Sequence, residues 1–177
     1  MRKILVIGAG KSASNLITYL IGKSEEENLH VTIGDLSLEN AKTHVKDHKN
    51  ATAILLDIFK EEERKAAVQN ADIVISMLPA RFHVEVAKDC VAYGKHMVTA
   101  SYISDEMQAL DAEAKEKGLV FMNEIGLDPG IDHMSAMQII DRIHDEGGKI
   151  MLFESFCGGL VAPESDNNLW NYKFTWN

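Results

Sequence analysis

The sequence is poor in cysteine, in basic charge and in long apolar runs, and each shortage removes a class of protein. Two cysteines, Cys90 and Cys157, are too few for a disulfide framework and fit a reducing compartment. Lys and Arg number 18 against 27 Asp and Glu, a formal charge of −9. Nucleic-acid binders carry a basic excess, so that class is disfavoured, although a local basic patch stays compatible. No stretch approaches the roughly 20 apolar residues that span a bilayer, so no membrane partner is expected. Met1-Arg2-Lys3 before Ile4 to Ile7 imitates a signal peptide, but glycines break the apolar run at once. There is no internal repeat and no low-complexity tract. His83, Cys90, His96 and His133 show no paired ligand spacing, so no metal site is expected. An acidic, cytoplasmic, globular protein is the expectation.

What is present fits that class. The composition, 46% hydrophobic and 25% charged, is that of a soluble globular chain. With 177 residues the chain holds one domain of about 150 plus a remainder. Short runs rich in Val and Ile read as strands buried on both faces. They are Ile4–Ile7, Val31–Ile33, Ala53–Leu56, Ile73–Leu78, His96–Thr99 and Leu119–Met122. Between them, apolar residues at helical spacing (Leu16-Tyr19-Leu20, Val84-Ala87-Val91) and charged amphipathic segments (Glu62–Gln69, Asp105–Lys117) predict helices. The alternation predicts an α/β, Rossmann-type, doubly wound parallel sheet.

The pattern changes near Asp128-Pro129-Gly130. A helix is expected over Asp132–Asp145, stopped by Gly147-Gly148. A strand over Ile150–Phe156, a Gly- and Pro-containing loop and a polar, aromatic tail follow. Residues 1–129 are expected to form an NAD(P)-binding domain. Residues 130–177 are expected to be the start of a second, α+β domain, too short to stand alone and cut short.

Gly8-Ala9-Gly10-Lys11-Ser12-Ala13 fits G-x-G-x-x-G/A between a strand at Lys3–Ile7 and a helix at Ala13–Ile21. Gly8 permits the tight turn, Gly10 lets the backbone approach a pyrophosphate, and Ala13 allows close helix–strand packing. The helix N-terminus turns a positive dipole end to the phosphates. A glycine-rich turn without a ligand is the plain alternative. Gly10-Lys11-Ser12 also imitates the end of a phosphate-wrapping G-x-x-x-x-G-K-S/T loop. The glycine that loop requires is Leu5, inside the strand, so ATP binding is rejected. Asp35, at the end of the second strand, can accept both adenosine ribose hydroxyls and repel a 2′-phosphate. Leu36, Ser37 and Leu38 supply no Arg for that phosphate, so NAD is favoured, with NADP still compatible. A helix N-terminal acid is the alternative reading of Asp35.

Three segments together resemble saccharopine reductase, the glutamate-forming saccharopine dehydrogenase. They are Val98-Thr99-Ala100-Ser101-Tyr102-Ile103-Ser104, the run from Met122 through Gly126-Leu127-Asp128-Pro129-Gly130 to His133, and Ser155-Phe156-Cys157-Gly158 to Glu164. The similarity runs through the tail Tyr172-Lys173-Phe174-Thr175-Trp176 and covers roughly the N-terminal 40% of a family member. The NADP-using fungal pattern has Cys-Arg where Asp35-Leu36 stand here. That departure argues against NADP and leaves the resemblance intact.

The resemblance implies lysine metabolism: interconversion of saccharopine with 2-aminoadipate 6-semialdehyde and glutamate by hydride transfer to a nicotinamide. It implies nucleotide contacts at Gly8, Gly10, Ser12, Ala13, Asp35, Asp57, Ile58, Leu78, Pro79, Thr99, Leu127, Asp128, Ile131 and His133. It implies substrate contacts at Ser101, Tyr102 and Asp128. The chemistry needs proton acceptors beside the reacting carbon, for which Asp128, Tyr102 and Cys157 are the candidates. Plainer readings stand beside these. Pro79 fits the first position of a helix, and Ser101-Tyr102 fits a surface loop. Asp128 fits a helix-entry acid, extended before Pro129, and Cys157 fits a small buried hydrophobe. His133 fits a capping-region residue. Phe153, Phe156, Trp170 and Trp176 are expected in a core or interface. Glu25–Glu27 and Glu61–Glu63 are expected on solvated faces, with Arg64 on a charged helix segment.

A small-molecule amino-acid substrate is therefore expected, with a homodimer left open. Two rivals remain at this point. One is an NAD-binding module without catalysis. The other is a carboxyspermidine-type dehydrogenase, disfavoured by the run from Met122 to His133.

Overall fold

The computed structural model describes residues 1–158 and 161–173. Six strands form one all-parallel sheet: β1 Arg2–Ile7, β2 Leu29–Asp35, β3 Ala51–Leu55, β4 Ile73–Ser76, β5 His96–Thr99 and β6 Phe121–Met122. The spatial order is β3-β2-β1-β4-β5-β6. The chain runs outward from β1 to β3, then returns to the other side of β1 with β4. That reversal opens a crevice at the carboxyl ends of β1 and β4, where doubly wound sheets take their ligands.

β1 shows why the fold needs an unbroken apolar strand. Its side chains alternate between faces. Ile4 and Val6 pack with Ile17, Val31 and Ile33 on one side, while Leu5 and Ile7 pack with Val74, Val86 and Met97 on the other. The outer strands are less covered. β3 carries exposed positions, and β6 is two residues long, shorter than the expected run from Leu119. An edge strand has neighbours on one side only, so its outer positions keep solvent contact.

The helices of this region are α1 Ser14–Lys23, α2 Leu38–Val45, α3 Glu61–Gln69, α4 His83–Tyr93, α5 Asp105–Gln108 and α6 Asp111–Glu116. A short 3₁₀ turn, Lys11–Ala13, leads into α1. The single helix expected over Asp105–Lys117 is two. Leu110 donates to the Met107 carbonyl in a tighter turn, and this interrupts the α-helical ladder.

The described chain divides into two compact units, Met1–His133 and Met134–Asn177. Helix α7, Ile131–Asp145, begins in the first and supplies most of the regular structure of the second. Its end matches the expected glycine stop: Gly147 has φ +78, and Gly148 donates to the Ile143 carbonyl at 2.8 Å. The strand expected over Ile150–Phe156 does not form, and the segment is irregular. A strand leaves its backbone groups unpaired unless another strand lies alongside. Among the described residues of its own unit none forms a strand. The core half of the aromatic expectation is corrected: Phe153, Phe156 and Trp170 are exposed. Phe174 and Trp176 lie outside the described residues, as do Gly159 and Leu160. No helix among the described residues is long and apolar enough to cross a membrane.

Candidate functional site

Because every strand runs the same way, each loop after a strand opens on one edge of the sheet. The expected site residues of the first unit are loop residues of this kind. After β1, Gly8 has φ +102, and a Cβ there would stand 3.0 Å from the Met77 carbonyl oxygen. The close approach holds the β1 and β4 loops together and requires glycine. Gly10 is exposed, and a Cβ built on it meets nothing within 4 Å. No side chain caps the following turn, which contains the exposed Ser12 and the buried Ala13. An open backbone at an uncapped helical entrance fits a pyrophosphate.

Asp35 ends β2 and faces this loop. One carboxylate oxygen accepts the Ala9 N–H at 2.7 Å and the other the Ser37 N–H at 2.8 Å. A carboxylate has about four acceptor positions, so capacity remains for two ribose hydroxyls. The His44 ring lies 3.2 Å from the Ala9 carbonyl through Nε2. After β3, Asp57 accepts the Phe59 N–H at 3.0 Å, closing a turn, and Ile58 is buried. Arg64 lies on the charged helix α3 as expected, and Glu61–Glu63 are exposed, but Arg64 itself turns inward. It is buried, donates to Asp89 at 2.6 Å and to the Ile58 carbonyl at 2.6 Å. It ties the β3 loop to α4.

After β4, Leu78 is half-buried and Pro79 exposed. Pro79 stands one residue ahead of a 3₁₀ turn, Ala80–Phe82, at its N-cap rather than its first position. Arg81 is 4.6 Å from the Phe82 ring centroid, and Phe82 meets Phe59 edge-on with centroids 5.0 Å apart. The buried Thr99 closes β5, and the half-buried Ser101 and the exposed Tyr102 follow it. After β6, the segment from Asn123 to Gly130 is bound to the β5 loop. Glu124 donates its N–H to the Ser101 carbonyl, and its carboxylate accepts the Ile103 N–H, both at 3.1 Å. Gly126 and Gly130 pair backbone to backbone, and a Cβ on Gly130 would overlap the Gly126 backbone. Only glycine fits there. Leu127 and Asp128 project between them as exposed residues, and the Asp128–Pro129 bond is cis.

Ile131 and His133 lie in the first turn of α7 and are exposed. The His133 Nδ1 lies 2.8 Å from Asp132, which also accepts the Gly130 N–H. Their mutual hydrogen bond lowers the Asp132 pKa and raises that of His133. Cys157 is exposed and belongs to the second unit, against the expectation of a buried hydrophobe. Cys90 takes that part instead: burial pushes its thiol up to about 12, which keeps it inert.

Sequence reasoning missed one group. His83, the first residue of α4, is buried. Its Nδ1 lies 2.8 Å from the Ser76 hydroxyl, and its Nε2 lies 2.8 Å from that of Ser101 and 3.2 Å from that of Thr99. Burial lowers its pKa, so the ring is neutral near pH 7. Metal-ligand spacing was the wrong test for this histidine. The usable signal is a hydroxyl ending each of two apolar strands, Ser76 on β4 and Thr99 on β5, with His83 between.

Residues 4–122 match the family model described as the saccharopine dehydrogenase NADP binding domain, and residues 126–177 match the saccharopine dehydrogenase C-terminal domain. The chain is 44% identical over 161 residues to an alpha-aminoadipic semialdehyde synthase of Arabidopsis thaliana, covering 90% of this chain and 15% of that protein. It is 40% identical to the NADP(+), L-glutamate-forming saccharopine dehydrogenase of Schizosaccharomyces pombe, covering 100% of this chain and 39% of the relative. The solved saccharopine dehydrogenase (L-Glu forming) of Saccharomyces cerevisiae superposes with a TM-score of 0.82 at 38% identity, over 99% of this chain and 39% of that one. The chain thus spans well under half the length of these relatives. With the dinucleotide loop, the sheet order and the two matched models in agreement, the chain belongs to the saccharopine dehydrogenase family.

Proposed function

We propose that this chain is the cofactor-binding part of an oxidoreductase that interconverts saccharopine with 2-aminoadipate 6-semialdehyde and glutamate, and that it prefers NAD to NADP. The observation that carries the reading is the hydrogen bond from Ala9 to Asp35, inside a segment of this family. It fixes the phosphate loop and the ribose acid as one unit. A bound nicotinamide dinucleotide supplies the hydride acceptor. The chain's own residues hold and orient it: Gly8 to Ala13 at the pyrophosphate, Asp35 at the adenosine ribose, and Thr99 with the Leu127–His133 segment beyond the crevice. Ser101 and Tyr102 line the substrate side. Asp128, exposed in the loop after β6, takes the proton of the substrate amine before hydride loss. Cys157 is assigned no step.

The preference for NAD runs against the names of the fungal relatives and of the family model, which specify NADP. It rests on charge. A 2′-phosphate beside Asp35 meets a carboxylate, and Leu36 offers no cation in return.

Saccharopine carries three carboxylates, whose orientation calls for cationic donors, preferably arginine. Of the four Arg, Arg2 lies at the opposite end of β1, Arg64 is occupied by Asp89, and Arg142 is on α7. Arg81 alone of the four lies on the ligand edge. This chain by itself is therefore expected not to oxidise saccharopine measurably. Turnover comparable to that of a full-length relative, assayed with NAD, would overturn that expectation.

Calorimetric titration with NADH and NADPH tests the reading directly. NADH should bind the tighter, and Asp35→Ala should narrow the ratio between them. Gly10→Val should remove binding of both by filling the open space at the loop. Tighter NADPH binding by the unmodified chain would sink the NAD preference. Binding of neither would sink the cofactor reading itself.

A further inference from the structure

The crevice, the pyrophosphate loop and Asp35 fix the direction in which a dinucleotide must lie. Its adenosine end goes toward β2, so its nicotinamide end goes the other way, over β4 and β5. His83 stands under that second half. It is buried, and it reaches three hydroxyls from three places in the chain: Ser76 closing β4, Thr99 closing β5, and Ser101 in the loop beyond.

We infer that His83 is a positioning residue for the nicotinamide side of the cofactor site. Held from below by Ser76, its ring sets the hydroxyls of Thr99 and Ser101 at the mouth of β5. The argument is one of satisfaction. A buried hydroxyl is costly unless its hydrogen bonds are made, and burial holds the imidazole pKa below its ordinary value. The ring therefore stays neutral, with one donor nitrogen and one acceptor nitrogen. In either tautomer it meets Ser76 on one side and Ser101 on the other, with Thr99 sharing Nε2 at the longer 3.2 Å, so one side chain orients all three. Thr99 is fully buried while Ser101 is half-buried. The order imposed inside the sheet is thus delivered outward at Ser101. The Ser101 carbonyl is fixed separately, by the Glu124 N–H at 3.1 Å. Backbone and side chain of the same residue are held from opposite sides.

This inference rests on the cofactor reading above. Its test separates the two halves of the dinucleotide by comparing NADH with ADP-ribose, which lacks the nicotinamide, on this chain. Asn at position 83 can replace Nδ1 but cannot reach as far as Nε2, whereas Gln can. His83→Asn should weaken NADH about tenfold, the size of one lost hydrogen bond, and leave ADP-ribose within about twofold. His83→Gln should recover most of the loss. Ser101→Ala, a less buried change, should weaken NADH selectively too, and adding it to His83→Asn should cost little more. Equal weakening of NADH and ADP-ribose would make His83 a general structural residue and overturn the inference. So would a Gln variant no better than the Asn variant, or NADH binding unchanged in all three. If the unmodified chain binds ADP-ribose and NADH not at all, the cofactor reading falls first and this inference with it.

Discussion

The two units of the molecule differ in burial: among the described residues, only the first has an interior. In Met1–His133 strands and helices bury Leu5, Val6, Ile17, Val31 and Val86 almost completely. From Ile131 to Lys173, no described residue is buried. Met134, Met137 and Ile139 of α7 stay about half exposed, and Met151 and Phe156 are almost wholly so. The two expectations for the later region fared differently for a physical reason. A helix satisfies its backbone within its own turns, so α7 formed where its spacing and its glycine stop put it. A strand completes its hydrogen bonds on a neighbour, so Ile150–Phe156, apolar as it is, did not become one.

Three experiments sharpen this contrast. The largest effect is expected at Arg64. Removing its guanidinium by Arg64→Ala leaves Asp89 buried without its partner and should cost about 3–5 kcal/mol. Urea unfolding measures it. A cost below about 1 kcal/mol would mean that the pair behaves as a surface one and that the first unit is less closed than described.

Next in size is a paired truncation. Leu5→Ala empties a position 1% exposed and should cost about 3 kcal/mol. Phe156→Ala, at a position 89% exposed, should change stability by less than about 0.5 kcal/mol. Comparable losses at the two sites would erase the distinction between the units.

The smallest effect is a pH dependence. The pKa of His83 is lowered by burial, so the folded state resists protonation that the unfolded chain accepts near its ordinary value of 6.5. The sign follows: the contribution is present above that pH and is lost as the solution is acidified through it toward the lower folded value. Thermal unfolding of the native chain should therefore fall more steeply with acid below about pH 6.5 than that of His83→Gln. One proton limits the difference to about 1.4 kcal/mol per pH unit. Parallel curves for the two proteins would show that the ring is not held neutral.

Most of the sheet was legible in the residues because parallel strands announce themselves as unbroken apolar runs. The carboxyl-edge loops were legible for a related reason, since each follows a strand whose end was recognisable. Gly8, Gly10, Ala13 and Asp35 could be given roles by spacing alone. Less local features were not readable. The Arg64–Asp89 pair joins α3 to α4 across 25 positions, and nothing in the charge pattern around Glu61 marks Arg64 as the buried member. The four-way group around His83 depends on β4 and β5 being neighbours, which only the sheet order establishes.

Asp35 carries one more consequence. Its carboxylate accepts the Ala9 N–H, and on the proposed cofactor reading it would also select the ribose, so cofactor choice and loop anchoring would share a single side chain. On that reading, a lineage of such proteins would not exchange NAD for NADP here by discarding the acid alone. The same step that would admit a 2′-phosphate would unfasten the turn that grips the pyrophosphate. The two traits would be epistatic, and a productive route would need a compensating acceptor for the Ala9 N–H before, or together with, a new cation at Leu36.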